Sequence, residues 1–309
     1  MASNKKNEIS IEMYDDKDDK ALECFKKAEK ESKNATEWIE NARKHRQVKF
    51  IPHNELENIE PIGKGGFGHI MRAIWIKTHD YVICKRLTNT ADIKNNLLDA
   101  FIHELKIHYI HANYSRRIIR CLGISLDPKE NDYLLIMQYA NGGDLRNHLK
   151  DNFENLTWGD KKNLAFQIAD GLNYLHNEGI LHRDLHSKNI LIHEHNAKIT
   201  DFGISKIQND QNSTVYTGNF DSNNDIALAF DINEGVREAT IPDTPKEYEE
   251  LYKTCWDKDP KQRPTINEVL NKFEKMGFGI NARDKPIKEN NENLTSDEWQ
   301  TCNDSLEII

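Results

Sequence analysis

No apolar run in this chain approaches the roughly 20 residues that a bilayer-spanning helix needs. The longest, Tyr133 to Ala140, is interrupted by Gln138 and reads as a buried strand. Met1 to Ser10 has neither an apolar core nor a small-residue cleavage site, so no secretory leader is legible. Cysteine is scarce: Cys24, Cys84, Cys121, Cys255 and Cys302 are odd in number and scattered. That argues against a disulfide framework or a thiolate metal centre and for reduced thiols in a cytosolic or nuclear chain. Positive charge is also in short supply. With 42 Lys and Arg against 51 Asp and Glu, the formal charge of -9 has the wrong sign for non-specific nucleic-acid binding. Any anionic ligand must therefore be held by local groups. No internal repeat is present, and nothing sets an oligomeric state.

The 309 residues suffice for one large domain, or for two lobes with tails. An apolar fraction of 37% and a charged fraction of 30% imply a solvated surface with polar ends. Residues 1–20 are polar and charge-mixed, a disordered leader. In residues 21–50, Leu22, Phe25 and Ala28 at helical spacing predict a helical extension, read as a solvated segment outside the core. Residues 281–309, rich in Asn, Asp and Glu, read as a polar, mobile tail.

Between these ends, strands are predicted at Ile59–Ile62, His69–Ile76, Tyr81–Leu87, Ile118–Leu126 and Tyr133–Tyr139, around one helix at Leu97–His111. That pattern is an antiparallel sheet with a helix. Thr157 and Asp160 match a capping box, and Leu164, Ile168, Leu172 and Leu175 then recur at helical spacing until Gly179. Two short strands, Ile190–His193 and Ala197–Thr200, are joined by Glu194, His195 and Asn196 as a hairpin turn.

Three constellations carry chemistry. Ile62-Gly63-Lys64-Gly65-Gly66-Phe67-Gly68 is a G-x-G-x-x-G loop, whose missing side chains let backbone N–H groups approach phosphates. It is followed by a strand-like segment, whereas a dinucleotide-binding fold would place a helix there. Lys85 ends the alternating strand Val82-Ile83-Cys84, and Glu104 lies among apolar positions of the following helix, where a carboxylate wants a cation. At about 4 Å such a contact is worth on the order of 4 kcal/mol before desolvation is subtracted. The sharpest run is His182-Arg183-Asp184-Leu185-His186-Ser187-Lys188-Asn189, with Asp201-Phe202-Gly203 beginning twelve positions after Asn189. These match H-R-D-L-x-x-x-N and D-F-G. Phosphoryl transfer requires such a set, because metal ions must bridge several negative charges while a carboxylate receives the hydroxyl proton.

On these motifs the chain resembles the protein kinase superfamily, especially its tyrosine-kinase-like group. The match runs from about Ile59 to Val215 and again from about Asp225 to Phe273, where Cys255-Trp256-Asp257-Lys258-Asp259-Pro260 and Arg263-Pro264-Thr265 resemble the family's domain end. The resemblance implies an α+β, bilobal fold: an antiparallel-sheet N-lobe with one helix (56–137), a hinge (138–142) and a mainly helical C-lobe (143–277). It implies ATP and Mg²⁺ as cofactors and a protein substrate, with serine or threonine the expected acceptor. Asp184 would be the base, Lys85 would pair with Glu104 and the phosphates, and Asn189 and Asp201 would ligate Mg²⁺. Gly63, Gly65 and Gly68, with Ile62, Lys64, Gly66 and Phe67, would cover the nucleotide. Ile70, Ile83, Met137, Gln138, Ala140, Asp144 and Leu191 would complete its site.

Three departures qualify the resemblance. Ile83 stands where the family usually has alanine and Ile70 where valine is usual, which with Met137 predicts a tighter pocket or a harmless repacking. His186 replaces the lysine of H-R-D-L-K-x-x-N enzymes, leaving tyrosine open as an acceptor. After Asp201 neither an A-P-E motif nor the long buried helix that follows it is present, an internal deletion near 216–224. Arg263 should then lack its glutamate partner, and the apolar face of Thr157–Gly179 should be exposed. Such a chain reads either as an active kinase or as a pseudokinase that holds nucleotide or a partner. The smooth resumption at Asp225 also fits an altered transcript or a faulty gene reading.

Overall fold

A computed structural model describes residues 35–45, 47–65, 68–87, 97–112, 115–203, 205–207, 235 and 237–279. The expected leader, Leu22, Phe25, Ala28, the polar tail, the deletion near 216–224, and Gly66 and Phe67 lie outside the described residues.

Five strands form one antiparallel sheet: β1 (Leu56–Gly65), β2 (Gly68–Trp75), β3 (Asp80–Leu87), β4 (Cys121–Asp127) and β5 (Asp132–Gln138), in the order β1-β2-β3-β5-β4. Alternation along the strands decides which side chains share a face. Val82, Cys84, Leu134 and Ile136 pack with Ile51, Leu56 and Trp75 on one side. Ile83, Leu135 and Met137 pack on the other, beneath Phe101, Ile102 and Leu105 of α2 (Leu97–Lys106), which continues as a π turn through His111. The predicted helix Leu97–His111 is therefore present, loosened in its last turn.

The N-terminal extension corrects the sequence reading. Helix α1 (Ala35–Lys44) is no solvated leader: Trp38 (3% exposed), Ile39 and Ala42 join the same core as α2 and the sheet. The chain then lies along β4, with Ile51 N–H donating to Ile124 O at 2.8 Å and Ile124 N–H to Lys49 O at 2.9 Å. Gly123 permits this approach, since a Cβ there would stand 2.3 Å from the Lys49 carbonyl oxygen.

The second lobe is built on α3 (Leu145–Asn152) and α4 (Trp158–Asn177). The predicted capping box at Thr157 and Asp160 is formed, and Gly179 takes a left-handed φ of 70° just past the helix end. Strands β6 (Ile180–Leu181), β7 (Ile190–His193), β8 (Asn196–Ile199) and β9 (Lys206–Ile207) come next, β7 pairing with β8 and β6 with β9. The β7–β8 turn is shorter than expected: Glu194 and His195 alone turn the chain, at φ 49° and 65°, and Asn196 already pairs with His193. Positive φ at both residues suits a two-residue hairpin. Gln167 of α4 fixes this hairpin, donating to Asn196 Oδ1 at 3.1 Å and accepting the Ala197 N–H at 2.8 Å.

Helices α5 (Lys246–Cys255) and α6 (Ile266–Lys275) pack against α4 through Leu251, Phe273 and Ala169, so its apolar face is only partly open. Burial by these two helices corrects the expectation of a bare face. Arg263 is exposed and donates its Nε to the Asp257 carbonyl at 2.8 Å; among the described residues it forms no ion pair.

Candidate active site

The β1–β2 hairpin carries the glycine run, with Gly65 opposite Gly68 and Gly63 opposite Ile70. Gly63 and Lys64 are exposed, as is Ile62, and a Cβ built on Gly63 would meet nothing within 4 Å, which leaves space for a ligand beside this strand. Ile70 lies opposite Lys85, and Ile83 opposite Met137. Ile83, Met137 and Ala140 fall in one buried cluster, with Ile70 and Leu191 packed against it. The Ile83 side chain is therefore taken up in this packing. Past Gln138, which ends β5, the chain runs onto β7: Gly142 N–H donates to Ile192 O at 2.8 Å, and Asp144 bridges to Leu191. The Asp144 carboxylate caps α3, accepting from the backbone N–H of Asn147 at 3.0 Å.

Lys85 and Glu104 meet as expected. Lys85 Nζ lies 2.7 and 2.9 Å from the two Glu104 oxygens and 2.9 Å from Asp201 Oδ1. Glu104 is fully buried and Lys85 nearly so. Burial alone would lower the Lys85 pKa, but Glu104 and Asp201 together hold it above the usual lysine range. Burial likewise works to raise Asp201, and the Lys85 ammonium outweighs it, keeping that carboxylate below its usual range. One cation thus gathers carboxylates from β3's neighbouring helix and from the segment after β8.

His182 ties the backbone of Asp184 to that of Thr200, the residue before Asp201. Its Nδ1 accepts the Asp184 N–H at 3.3 Å, so Nε2 bears the proton and donates to Thr200 O at 2.9 Å. Asn189 closes the loop, its amide nitrogen donating to Asp184 O at 2.9 Å and to Asp184 Oδ2 at 3.1 Å. That leaves the amide oxygen to accept. His186 Nε2 stands 3.8 Å from Asp184 Oδ1. Arg183 and Asp201 both hold left-handed backbones, φ 68° and 67°, a conformation that costs of order 1–3 kcal/mol and persists only where the surroundings impose it.

Sequence reasoning missed His108. It lies four residues beyond Glu104 on the same face, fully buried, with its ring edge-on to Phe202 at 4.9 Å; His182 contacts Phe202 at 5.2 Å. The Ile119 backbone interacts with the His108 ring without offsetting the cost of burial. The available signal was its spacing from Glu104 on an apolar helix face, which by itself points only to the core. Burial depresses its pKa to about 3. Below pH 6.5 the unfolded chain binds a proton at this residue that the folded chain refuses, so stability falls with pH by up to about 1.4 kcal/mol per unit. His108→Leu should flatten this slope. Urea unfolding from pH 4.5 to 7.5 checks it; parallel curves for the two proteins would contradict the assignment.

A profile of the family "Protein tyrosine and serine/threonine kinase" matches residues 56–224. The serine/threonine-protein kinase VIK of Arabidopsis thaliana is 31% identical over 273 residues, covering 72% of this chain and 60% of that protein. A probable serine/threonine-protein kinase of Dictyostelium discoideum is 28% identical over 262 residues, covering 72% of this chain and 28% of its own length. The dual specificity protein kinase splA of the same organism is 28% identical over 288 residues, 73% of this chain and 12% of that one. The chain thus spans less than two thirds of each of these relatives.

Proposed function

The chain belongs to the protein tyrosine and serine/threonine kinase family, and from that premise we propose that it transfers the γ-phosphoryl group of ATP to serine or threonine hydroxyls of a protein substrate. The observation that carries this reading is the convergence of Lys85, Glu104 and Asp201 within hydrogen-bond distance, from positions up to 116 residues apart. The kinase domain takes in residues 56–277, with 138–142 as its hinge.

In this reading the backbone of Gly63, Gly65 and Gly68, with Ile62, Lys64, Gly66 and Phe67, covers the phosphates. Ile70, Ile83, Met137, Gln138, Ala140 and Leu191 surround the adenine, and Asp144 faces the ribose. Lys85, kept charged and fixed by Glu104, neutralises phosphate oxygens in a site with little water. The Asp184 carboxylate receives the proton of the acceptor hydroxyl as its oxygen bonds to the γ-phosphorus and ADP departs. Asn189 and Asp201 would hold the metal. This donor set, one carboxylate and one amide oxygen, suits Mg²⁺, which takes most of its ligands from phosphate and water. When bound, the ion offsets charge on the phosphate oxygens. Among the described residues no helix is long and apolar enough to cross a membrane; we propose the cytosol or nucleus as the compartment on the ground of the odd, scattered cysteines.

The test mixes purified chain, Mg²⁺, γ-labelled ATP and a generic protein acceptor, beside Asp201→Asn. Label on acceptor serine or threonine should exceed that control at least a hundredfold. Label equal in both preparations would overturn the activity, and label on tyrosine alone would overturn the acceptor class.

A further inference from the structure

Where α3, α4 and α5 converge, the second lobe keeps an apolar groove of about 540 Å³. Leu149 of α3, Phe153 just past its end, Leu164 and Ile168 of α4, and Tyr252 and Trp256 form its walls. Ile241 stands among its lining residues 47% exposed. The Trp256 indole N–H is buried and has no acceptor among the described residues. A large apolar hollow with an unused donor in its wall is unfinished by the standards of a folded interior.

The chain carries a segment that matches it. Between Ile207 and Gly235 the sequence is largely polar as far as Asn224, and then reads Asp225-Ile226-Ala227-Leu228-Ala229-Phe230-Asp231-Ile232, six of these eight residues being apolar. Just beyond this segment the chain is already fixed to the groove. Arg237 Nε donates to the Trp256 carbonyl at 2.9 Å, and Glu238, Ala239 and Ile241 line the groove itself. Only residues 233–236 separate Ile232 from Arg237, and four residues reach about 14 Å at full extension. So short a tether holds the segment at an effective concentration of the order of millimolar, which a second copy or a free partner at micromolar concentration does not match.

We propose that the groove is the docking site of the chain's own residues Asp225–Ile232, which place Ile226, Leu228 or Phe230 against its aromatic wall and offer an acceptor to Trp256. Docking depends on the fold and on this tether, and not on phosphotransfer, so it stands or falls separately from the proposed activity. Its consequence for the site runs through α4, which leads by β6 into His182 and Asp184.

Cys255 lines the groove as a free, exposed thiol, which gives a direct test. Cys84 and Cys121 are buried, their pKa values pushed up to about 12 by burial, and will not compete. In a background with Cys24→Ser and Cys302→Ser, Ala229→Cys is oxidised at low micromolar protein and mapped by mass spectrometry. An intrachain disulfide to Cys255 is expected, formed several-fold faster than with Ser213→Cys in the polar stretch. Phe230→Asp should in parallel raise the fluorescence of a hydrophobic dye several-fold while far-ultraviolet circular dichroism is unchanged. Should Phe230→Asp unfold the chain, the disulfide rates decide alone. Interchain disulfides would assign the groove to a second copy, and equal rates from positions 213 and 229 would remove the segment from it. Either result overturns the proposal.

Discussion

Replacing Lys85 with methionine is expected to reduce phosphoryl transfer at least a hundredfold and to cost the fold about 3–5 kcal/mol. Both effects have one cause. The Lys85 ammonium satisfies two Glu104 oxygens and Asp201 Oδ1 in a nearly dry site. Without it two carboxylates are left facing each other. Burial already works to raise the Glu104 pKa, so Glu104 in the variant takes up a proton as pH falls, and the stability deficit should be larger at pH 8 than at pH 5. Lys85→Met combined with Glu104→Leu should recover most of the lost stability and none of the transfer. Urea unfolding at the two pH values, together with the labelled-ATP assay, measures both. A single variant as stable as the parent at pH 8 would show that the buried pair is not held as described.

Trp38→Ala should cost about 3–5 kcal/mol, the range for deleting a large buried aromatic side chain. Trp38 and Ile39 share a core with Phe101, Ile102 and Leu105 of α2, and Lys106 lies 5.2 Å from the Trp38 ring centroid. Because α2 also carries Glu104, loosening α1 should weaken the positioning of Lys85 and raise the KM for ATP more than it lowers kcat. Urea unfolding and initial-rate kinetics on the same preparation read both quantities. A cost below about 1 kcal/mol would mean that α1 is peripheral.

The misreading of α1 is instructive. Trp38, Ile39 and Ala42 are diluted by Glu37, Glu40, Arg43 and Lys44, and a ten-residue helix with one apolar stripe gives no sign of whether that stripe finds a surface. The sheet was legible because each strand alternates, or runs apolar where both faces are covered, as in Val82 to Cys84. The convergence of Lys85, Glu104 and Asp201 was legible because each lies in a short motif whose chemistry makes sense only with the others. Its detail was not. That Lys85 contacts Asp201 as well as Glu104, that His182 fixes its tautomer between Asp184 and Thr200, and that His108 backs Phe202 all depend on side-chain direction after folding. The β7–β8 turn was misjudged by one residue for a similar reason: Asn196 has the composition of a turn but is buried and pairs as a strand residue. Likewise, cover for α4 comes from α5 and α6, whose approach no local pattern announces.

The central claim is that Lys85, Asn189, Asp184 and Asp201 surround a metal-bound triphosphate. Calorimetric titration of ATP into the chain, with Mg²⁺ and then with excess chelator, tests it most directly. Binding should be at least tenfold tighter with Mg²⁺, and Asp201→Asn should abolish that difference while leaving a folded protein. ATP affinity that is identical with and without the metal, in both proteins, would contradict the account.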